Sequence, residues 1–226
     1  VHWEIAAHVF ERLDDTPAEQ LEGEQSIYGK GMWAASLRYH KDTFYVCFAS
    51  YDTGKTYIYR TKNINEPWEK RSLDGVYHHP SLLFDEDGRI YMGYGFNEVR
   101  ILELNDTLTA PKEGGFERLL VEEKQDAYIS YEGAHFYKKD GTYYIFVIQW
   151  LKGNLTQREQ LCLYGDSLDG EFKKEMVFSE NLGFPMKGVA QGGIVDTPEG
   201  DWYSVMYQEH GAIGKMPVLV PVSWDK

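Results

Sequence analysis

The sequence of 226 residues is poor in cysteine and in basic side chains, and it has no long apolar run. Two cysteines, Cys47 and Cys162, are too few for a disulfide framework or a cysteine metal cluster, and their strand-like surroundings predict buried free thiols. Lys and Arg number 23 against 36 Asp and Glu, which gives a net charge of −13. No nucleic-acid partner is therefore expected, because phosphate-backbone binding needs a basic stripe.

The longest apolar run, residues 143–148, is far below the roughly 18 residues that a membrane helix needs, so no membrane partner is expected. The first residues show no initiator Met and no secretory leader, which leaves localisation undetermined between secreted, periplasmic and cytoplasmic. Aromatic residues, by contrast, make up 15% of the chain, and hydrophobic residues 42%. This content is enough for a sizeable core and favours a sheet-rich fold, a surface that stacks on sugars, or both.

The chain contains four repeats, each with small residues, an apolar stretch, a polar turn and an aromatic-rich stretch. They are AASLRYHKDTFYV, HPSLLFDEDGRIYM, GAHFYKKDGTYYIF and GGIVDTPEGDWYSV, aligned on Tyr45, Tyr91, Tyr144 and Tyr203. Each turn carries Asp with Gly or Thr between runs of period 2, which is typical of a β-hairpin. Internal repeats of this length indicate an array of similar sheets.

A second element, an aromatic residue followed by a charge, recurs at 3–4, 68–69, 116–117 and 172–173. It predicts the outer strand of a four-stranded blade. Four hairpins and one additional outer strand predict an all-β fold, a five-bladed β-propeller whose N-terminal blade is incomplete. We expect one domain over 1–226, with the outer strand of blade 1 at about 1–10 and blades 2–5 at about 31–226. An incomplete blade exposes a strand edge, which predicts a homo-oligomer or strand exchange.

Residues 11–25 are rich in acidic side chains, and Pro17 disfavours a helix, so this segment is predicted to be a charged loop. Its carboxylates, Asp14, Asp15, Glu19, Glu22 and Glu24, are expected to form a solvated surface.

Functional residues of a propeller are expected where the first strand of each blade begins, because those positions crowd one end of the channel. They are 31–34, 77–80, 131–135 and 190–193. Glu132 is the carboxylate among them. Desolvation would raise its pKa and suit it to act as an acid near neutral pH. A structural Glu paired with a neighbouring His or a backbone amide is the alternative.

Taken in order, YGKGMWAASLRYH, GVYHHPSLLFDEDGRIY, YEGAHFYKKDGTYYIF and QGGIVDTPEGDWY resemble the five-bladed propeller glycoside hydrolases of family 43. The resemblance runs from about Trp3 to Trp224 and is nearest to the β-xylosidase and α-L-arabinofuranosidase branch. It implies an inverting mechanism with three carboxylates, in which Glu132 is the general acid. The Asp that tunes this acid is replaced by His79, whose charge would depend on pH. The base is expected to lie before Val1.

The resemblance also implies a carbohydrate subsite lined by Trp33, Tyr77, Trp150 and Gln191, although blade packing is an alternative for the aromatic residues. His210 is a candidate for substrate contact and for the channel His that faces a metal ion, often calcium; a core histidine is the alternative. No cofactor is expected to be required. Lys215 stands where the resemblance leads us to expect Arg, and the two differ in bidentate reach.

The sequence leaves three hypotheses for the function of this chain. The first is an inverting hydrolase that releases arabinose or xylose from arabinoxylan, arabinan or their oligosaccharides. The second is a non-catalytic carbohydrate-binding propeller derived from such an enzyme, and the third is a protein-interaction scaffold. Glu132 in its motif favours the enzyme, whereas His79 and the base expected outside the sequence favour the other two.

Overall fold

A computed structural model describes residues 2–14, 16–122, 127–153, 158–184 and 188–224. The described part is strand and turn, with a 3-10 turn at Gly211–Ile213 and fifteen strands in four sheets. The first sheet contains β1 (Ser36–His40), β2 (Thr43–Ser50), β3 (Lys55–Thr61) and β4 (Glu69–Asp74), and the second contains β5 (Ser81–Phe84), β6 (Ile90–Tyr94), β7 (Glu98–Leu104) and β8 (Glu117–Glu122). The third sheet contains β9 (Ala127–Lys139), β10 (Thr142–Leu151), β11 (Glu159–Gly165) and β12 (Lys173–Phe178). The fourth sheet contains β13 (Ala190–Asp196), β14 (Trp202–Glu209) and β15 (Lys215–Val222).

Strands follow chain order within every sheet, which is the arrangement of a propeller blade. The predicted all-β propeller fold is confirmed, with four blades in the described residues. The repeats are confirmed as well, because Tyr45, Tyr91, Tyr144 and Tyr203 all lie in the second strand of their sheets.

The hairpin between β1 and β2 turns at Lys41 and Asp42, which both have positive φ (46° and 58°). The hairpin between β9 and β10 turns in the same way at Asp140 and Gly141, with φ of 52° and 85°. Two consecutive positive φ values define a type I′ turn, whose twist matches that of the strands it joins. The Asp-containing tips therefore fix the strand register locally.

The chain divides into two compact units, residues 1–92 with 102–117, and residues 93–101 with 118–226. In the first unit, a cluster of buried aromatic rings on β2 and β3 forms the core of the first sheet: Phe48, Tyr57 and Tyr59. Phe10 extends this cluster, with its ring 5.0 Å from that of Tyr59. Aromatic content is therefore used here for blade packing.

In the second unit, Phe146, Cys162 and Ile194 form a buried cluster between the third and fourth sheets. Trp202 and Trp224 pack against it, with ring centroids 5.3 Å apart in an edge arrangement. The prediction of buried free thiols is confirmed for both cysteines. Burial raises the pKa of Cys162 to about 12, which keeps this thiol protonated and unreactive.

The aromatic and charged pairs at 68–69, 116–117 and 172–173 stand at the start of β4, β8 and β12, the last strands of their sheets. Residues 2–10 differ from the expectation, because the structure shows no strand there. A strand needs a neighbour for its hydrogen bonds, and none of the fifteen described strands pairs with this segment. Val9 and Phe10 instead bury their side chains against the first sheet.

The acidic loop is less solvated than predicted at Asp14. Its carboxylate accepts hydrogen bonds from the Tyr57 hydroxyl and the Lys70 ammonium. Burial opposes ionisation, but these two hydrogen bonds outweigh it and lower the pKa of Asp14. Asp14 therefore fastens the loop to the first sheet, while Asp15 falls outside the described residues. No helix of the described residues is long and apolar enough to cross a membrane.

Candidate functional site

In the first unit, Trp33 lies in a cluster of aromatic and imidazole rings. Its centroid is 5.0 Å from that of His78, 5.7 Å from that of His79 and 5.4 Å from that of Tyr51. The two imidazoles are stacked 4.0 Å apart, and the Tyr51 hydroxyl is hydrogen-bonded to His78 Nδ1 at 2.7 Å. Trp33 is half-buried, so the cluster leaves part of its ring accessible.

His79 is buried and has a φ of 47°, just before β5 begins. This left-handed backbone is uncommon for a side chain other than Gly, Asn, Asp or His, and it fixes where the imidazole points. Tyr77, two residues earlier, donates its backbone N–H to Thr56 Oγ1 at 3.0 Å. Burial, with the nearby Glu117 carboxylate, raises the pKa of Tyr77, so its hydroxyl stays protonated.

In the second unit, Glu132 lies within β9, where the pairing with β10 is irregular. Ile148 is opposite Glu132 and Phe146 is opposite His135, so Gly133 and Ala134 face one residue of β10. Gly133 adopts a φ of 73°, as expected of a β-bulge. A bulge re-aims the side chain beside it, and Glu132 is only 8% exposed. Local sequence thus places a carboxylate at an interruption of the sheet.

The first strand of the fourth sheet has a bulge of the same kind. Ala190 pairs with Tyr207 and Gly193 with Val205, so Gln191 and Gly192 face one residue of β14. Gln191 has a φ of 56° and packs on Gly133, because a Cβ at Gly133 would lie 2.6 Å from Gln191 Cγ. Glu132 and Gln191, both predicted site residues, are therefore brought close to each other.

The side chain of Gln160 replaces hydrogen bonds that the second bulge loses. Its Oε1 accepts the backbone N–H of Gln191 at 2.9 Å, and its Nε2 donates to the carbonyl of Gly192 at 3.5 Å. Gln191 is held at its side chain as well, because the Tyr207 hydroxyl donates to its Oε1 at 3.0 Å. Gln191 is thereby fixed at both ends.

Tyr207 also lies near two cations. The Lys215 Nζ is 4.4 Å from its ring centroid, and the guanidinium carbon of Arg158 is 5.9 Å away. Lys215 is exposed and lies opposite Glu209 on the neighbouring strand. Arg158 is buried and donates Nη2–H to Glu209 Oε1 at 3.1 Å. The buried Arg158 therefore lies near the ring of Tyr207, the residue whose hydroxyl is hydrogen-bonded to Gln191.

The half-buried side chain of Trp150 lies near Tyr128 and Arg158. Its ring centroid is 5.2 Å from that of Tyr128 and 5.0 Å from the Arg158 guanidinium carbon. Trp150 thus packs within its blade and is only half-buried, and its contact with sugar stays a prediction.

His210 is hydrogen-bonded through Nε2 to Gln208 Oε1 at 3.0 Å, and its ring is stacked 4.2 Å from that of Phe184. Calcium takes about six to eight oxygen ligands. Gln208 supplies one side-chain oxygen beside the imidazole, so the described surroundings of His210 do not form a calcium-type donor set. The predicted metal contact stays a prediction, and no step of the mechanism depends on it.

Sequence reasoning missed Arg158, Gln160 and Tyr207. Gln160 and Arg158 stand in a polar stretch, QREQ, that gives no motif, and Tyr207 belongs to an ordinary aromatic strand. These residues become part of the site through strand pairing across the third and fourth sheets, which no local signal in the sequence predicts.

Comparison with known proteins identifies the family of the chain. The chain matches the family described as "Glycosyl hydrolases family 43" over residues 1–226. A putative β-xylosidase of Xylanibacter ruminicola is 26% identical over all of this chain and 42% of the relative. The non-reducing end α-L-arabinofuranosidase BoGH43B of Bacteroides ovatus is 27% identical over all of this chain and 44% of the relative.

Among solved structures, a bifunctional GH43-CE protein of Bacteroides eggerthii is 36% identical, with a TM-score of 0.89 over 99% of this chain and 28% of the other. These matches define a glycoside hydrolase propeller as the class. The chain belongs to glycosyl hydrolase family 43. It spans less than half the length of the curated relatives described above.

Proposed function

We propose that this chain is the catalytic propeller of an inverting glycoside hydrolase that releases arabinose or xylose from hemicellulose or its oligosaccharides. Glu132 is the general acid. The observation that carries this proposal is the placement of Glu132, a carboxylate only 8% exposed that stands at a bulge, next to the Gly133 against which Gln191 packs. A carboxylate with a purely structural role would not require bulges in both β9 and β13, the first strands of the third and fourth sheets.

In the proposed reaction, Glu132 protonates the glycosidic oxygen as the bond to the sugar breaks. Water attacks the anomeric carbon from the opposite face and gives its proton to the base, which the family resemblance places before Val1. The acid and the base of an inverting enzyme therefore stand roughly 6.5–9.5 Å apart. Gln191, fixed by Tyr207 and Gln160, offers its amide to a sugar hydroxyl beside Glu132.

The substrate class is supported by the relatives, which are named as a xylosidase and an arabinofuranosidase. Both sugars are neutral pentoses, so the net charge of −13 has no bearing on the choice between them. An oligosaccharide or polysaccharide is the partner that this proposal requires.

The test compares the wild-type chain with Glu132→Gln on aryl α-L-arabinofuranoside and aryl β-xyloside, with sugar binding measured separately by calorimetric titration. We expect Glu132→Gln to bind sugar and to lose at least about a hundredfold in hydrolysis, because general acid catalysis contributes that much. Glu103→Gln is the matched control, since Glu103 is buried but engaged by Lys112 and the Phe116 N–H. Because the base is expected before Val1, binding without hydrolysis would indicate a carbohydrate-binding propeller only if a version of the protein that contains this base also fails to hydrolyse both substrates.

A second variant examines His79. His79→Asp introduces the carboxylate that the family resemblance implies, and Asp tolerates the left-handed backbone of this position. In a version of the protein that contains the base, we expect faster hydrolysis with His79→Asp than with His79→Asn, which has a similar shape but no charge. Equal rates for the two variants would show that a charge at position 79 does not contribute to hydrolysis.

A further inference from the structure

A cavity of about 250 Å³ opens in the second unit beside β8, β11 and β12. Its described wall includes Arg118 on β8, Tyr131 on β9 and Lys174 on β12, together with three aliphatic side chains. Neither Glu132 nor Gln191 is among the described residues that line it. The cavity is therefore not part of the candidate site.

Arg118 lines this cavity without a carboxylate partner. Its Nη1 donates to the carbonyl oxygens of Leu168 and Gly170, in the turn between β11 and β12. These bonds fix the half-buried guanidinium, but no ion pair joins it to a carboxylate of the described residues. By contrast, a Glu or Asp carboxylate pairs with each of Arg60, Arg71, Arg89, Arg100 and Arg158. A positioned guanidinium without a counter-ion favours an anionic ligand.

The remaining wall adds a second cation, an aromatic ring and an acceptor. Lys174 is exposed and donates to the Tyr131 hydroxyl at 3.3 Å. The ring of Phe172 is half-buried, with its centroid 6.0 Å from the Arg118 guanidinium carbon. Glu171 is exposed, and its ionised carboxylate can only accept hydrogen bonds. The wall thus combines positive charge with apolar surface and an acceptor for hydroxyl groups.

These features together indicate a sugar that carries a carboxylate. The Nε and Nη2 edge of Arg118 keeps solvent-accessible surface, and such an edge matches a carboxylate in two parallel hydrogen bonds. Ring hydroxyls can donate to Glu171, while the C–H groups of the ring can pack on Phe172. Pockets for drug-sized ligands measure roughly 300–1,000 Å³, so a cavity of about 250 Å³ suits one sugar ring rather than a chain.

We propose that this cavity is a second carbohydrate site, which binds one uronic acid unit through Arg118 and Lys174. The inference goes beyond the proposed hydrolysis at Glu132, because the ligand is an anionic sugar and the site needs no catalytic group. A small anion without a sugar ring is the competing ligand, since the same two cations would attract it.

The test measures the binding of D-glucuronate, D-glucose and acetate to the wild-type chain by calorimetric titration. D-Glucose has the ring without the carboxylate, and acetate has the carboxylate without the ring. We expect D-glucuronate to bind at least about tenfold more tightly than either, because charge-assisted bonds and ring packing act together only in this probe. Equal affinity for acetate would overturn the sugar as ligand, and equal affinity for D-glucose would overturn the role of the cations.

Two variants each remove one positive charge from the wall. We expect Arg118→Gln to lower the affinity for D-glucuronate about tenfold and Lys174→Gln about threefold. Lys174 is exposed, so its variant keeps the test valid if Arg118→Gln, which loses the bonds to Leu168 and Gly170, unfolds. Lys173→Gln is the matched control, because successive side chains of β12 point to opposite faces, and we expect its affinity to stay within about twofold of wild type.

Glu132→Gln separates this cavity from the candidate site, and we expect that variant to bind D-glucuronate as wild type does. If neither Arg118→Gln nor Lys174→Gln weakens binding relative to Lys173→Gln, the inference is wrong. It is also wrong if Glu132→Gln abolishes the binding of D-glucuronate. The proposed function is decided separately, by hydrolysis of the aryl glycosides.

Discussion

Replacing Gln160 by Leu is expected to destabilise the second unit through the bulge in β13. Gln160 is 2% exposed, and its amide is the partner of the Gln191 N–H at 2.9 Å and of the Gly192 carbonyl at 3.5 Å. Leu fills similar space, so the loss is one buried N–H without an acceptor, about 1–3 kcal/mol, plus a smaller contribution from the longer bond. We expect the free energy of unfolding in urea to fall by about 2–4 kcal/mol.

Affinity for sugar should fall with the stability, because the backbone N–H of Gln191 loses the acceptor that helps to hold this residue in place. Gln160→Glu is the informative control, since its carboxylate retains the acceptor but loses the donor and buries a charge. Burial raises the pKa of such a group, and its protonation restores a donor. The stability of this variant relative to wild type should therefore recover as the pH falls. A loss below about 0.5 kcal/mol for Gln160→Leu would refute the assignment, since surface substitutions change stability by that much.

Two further predictions concern the loop and the sheet edge. The lowered pKa of Asp14 means that its bonds to Tyr57 and Lys70 stabilise the fold above the ordinary pKa of 3.8, and that this is lost as the pH falls through the folded-state value. Urea unfolding of wild type and Asp14→Asn should differ by about 1 kcal/mol at pH 7 and converge below pH 4; a constant difference would contradict this. Prolines 217 and 221 deprive the β15 edge of donors, so replacing both by Val should promote association in light scattering, while equal masses at all concentrations would argue against edge pairing.

The blades could be predicted because their determinants are local. Period-2 alternation and the turn residues at 41–42 and 140–141 specify each hairpin within about a dozen residues. The aromatic and charged pair, by contrast, marks an outer strand only where a neighbouring strand exists to pair with it. At 68–69 that neighbour is β3, whereas residues 2–10 bury apolar side chains without pairing. Strand formation at the sheet edge therefore depends on partners that sequence pattern alone does not specify.

The site was predictable to the extent that its residues lie on the first strands. Glu132 and Gln191 follow from their place in the repeat, and the structure brings them together. Gln160 and Tyr207 act on Gln191 from other strands, and Arg158 joins them through Tyr207. Their roles arise from strand register over long sequence separations, so no periodicity or motif could assign them.

The glycines of the EGAH and QGG segments explain why the bulges and the polar site residues occur together. A Cβ at Gly192 would lie 1.8 Å from the carbonyl oxygen of Val205, and one at Gly133 would overlap Gln191. Glycine thus permits the close approach of backbones that interrupts each ladder. The interruption leaves backbone groups to be satisfied by a side chain such as Gln160. The bulges at Gly133 and Gly192 therefore reduce the stability of the sheets, and in return they allow Glu132 and Gln191 to face a ligand.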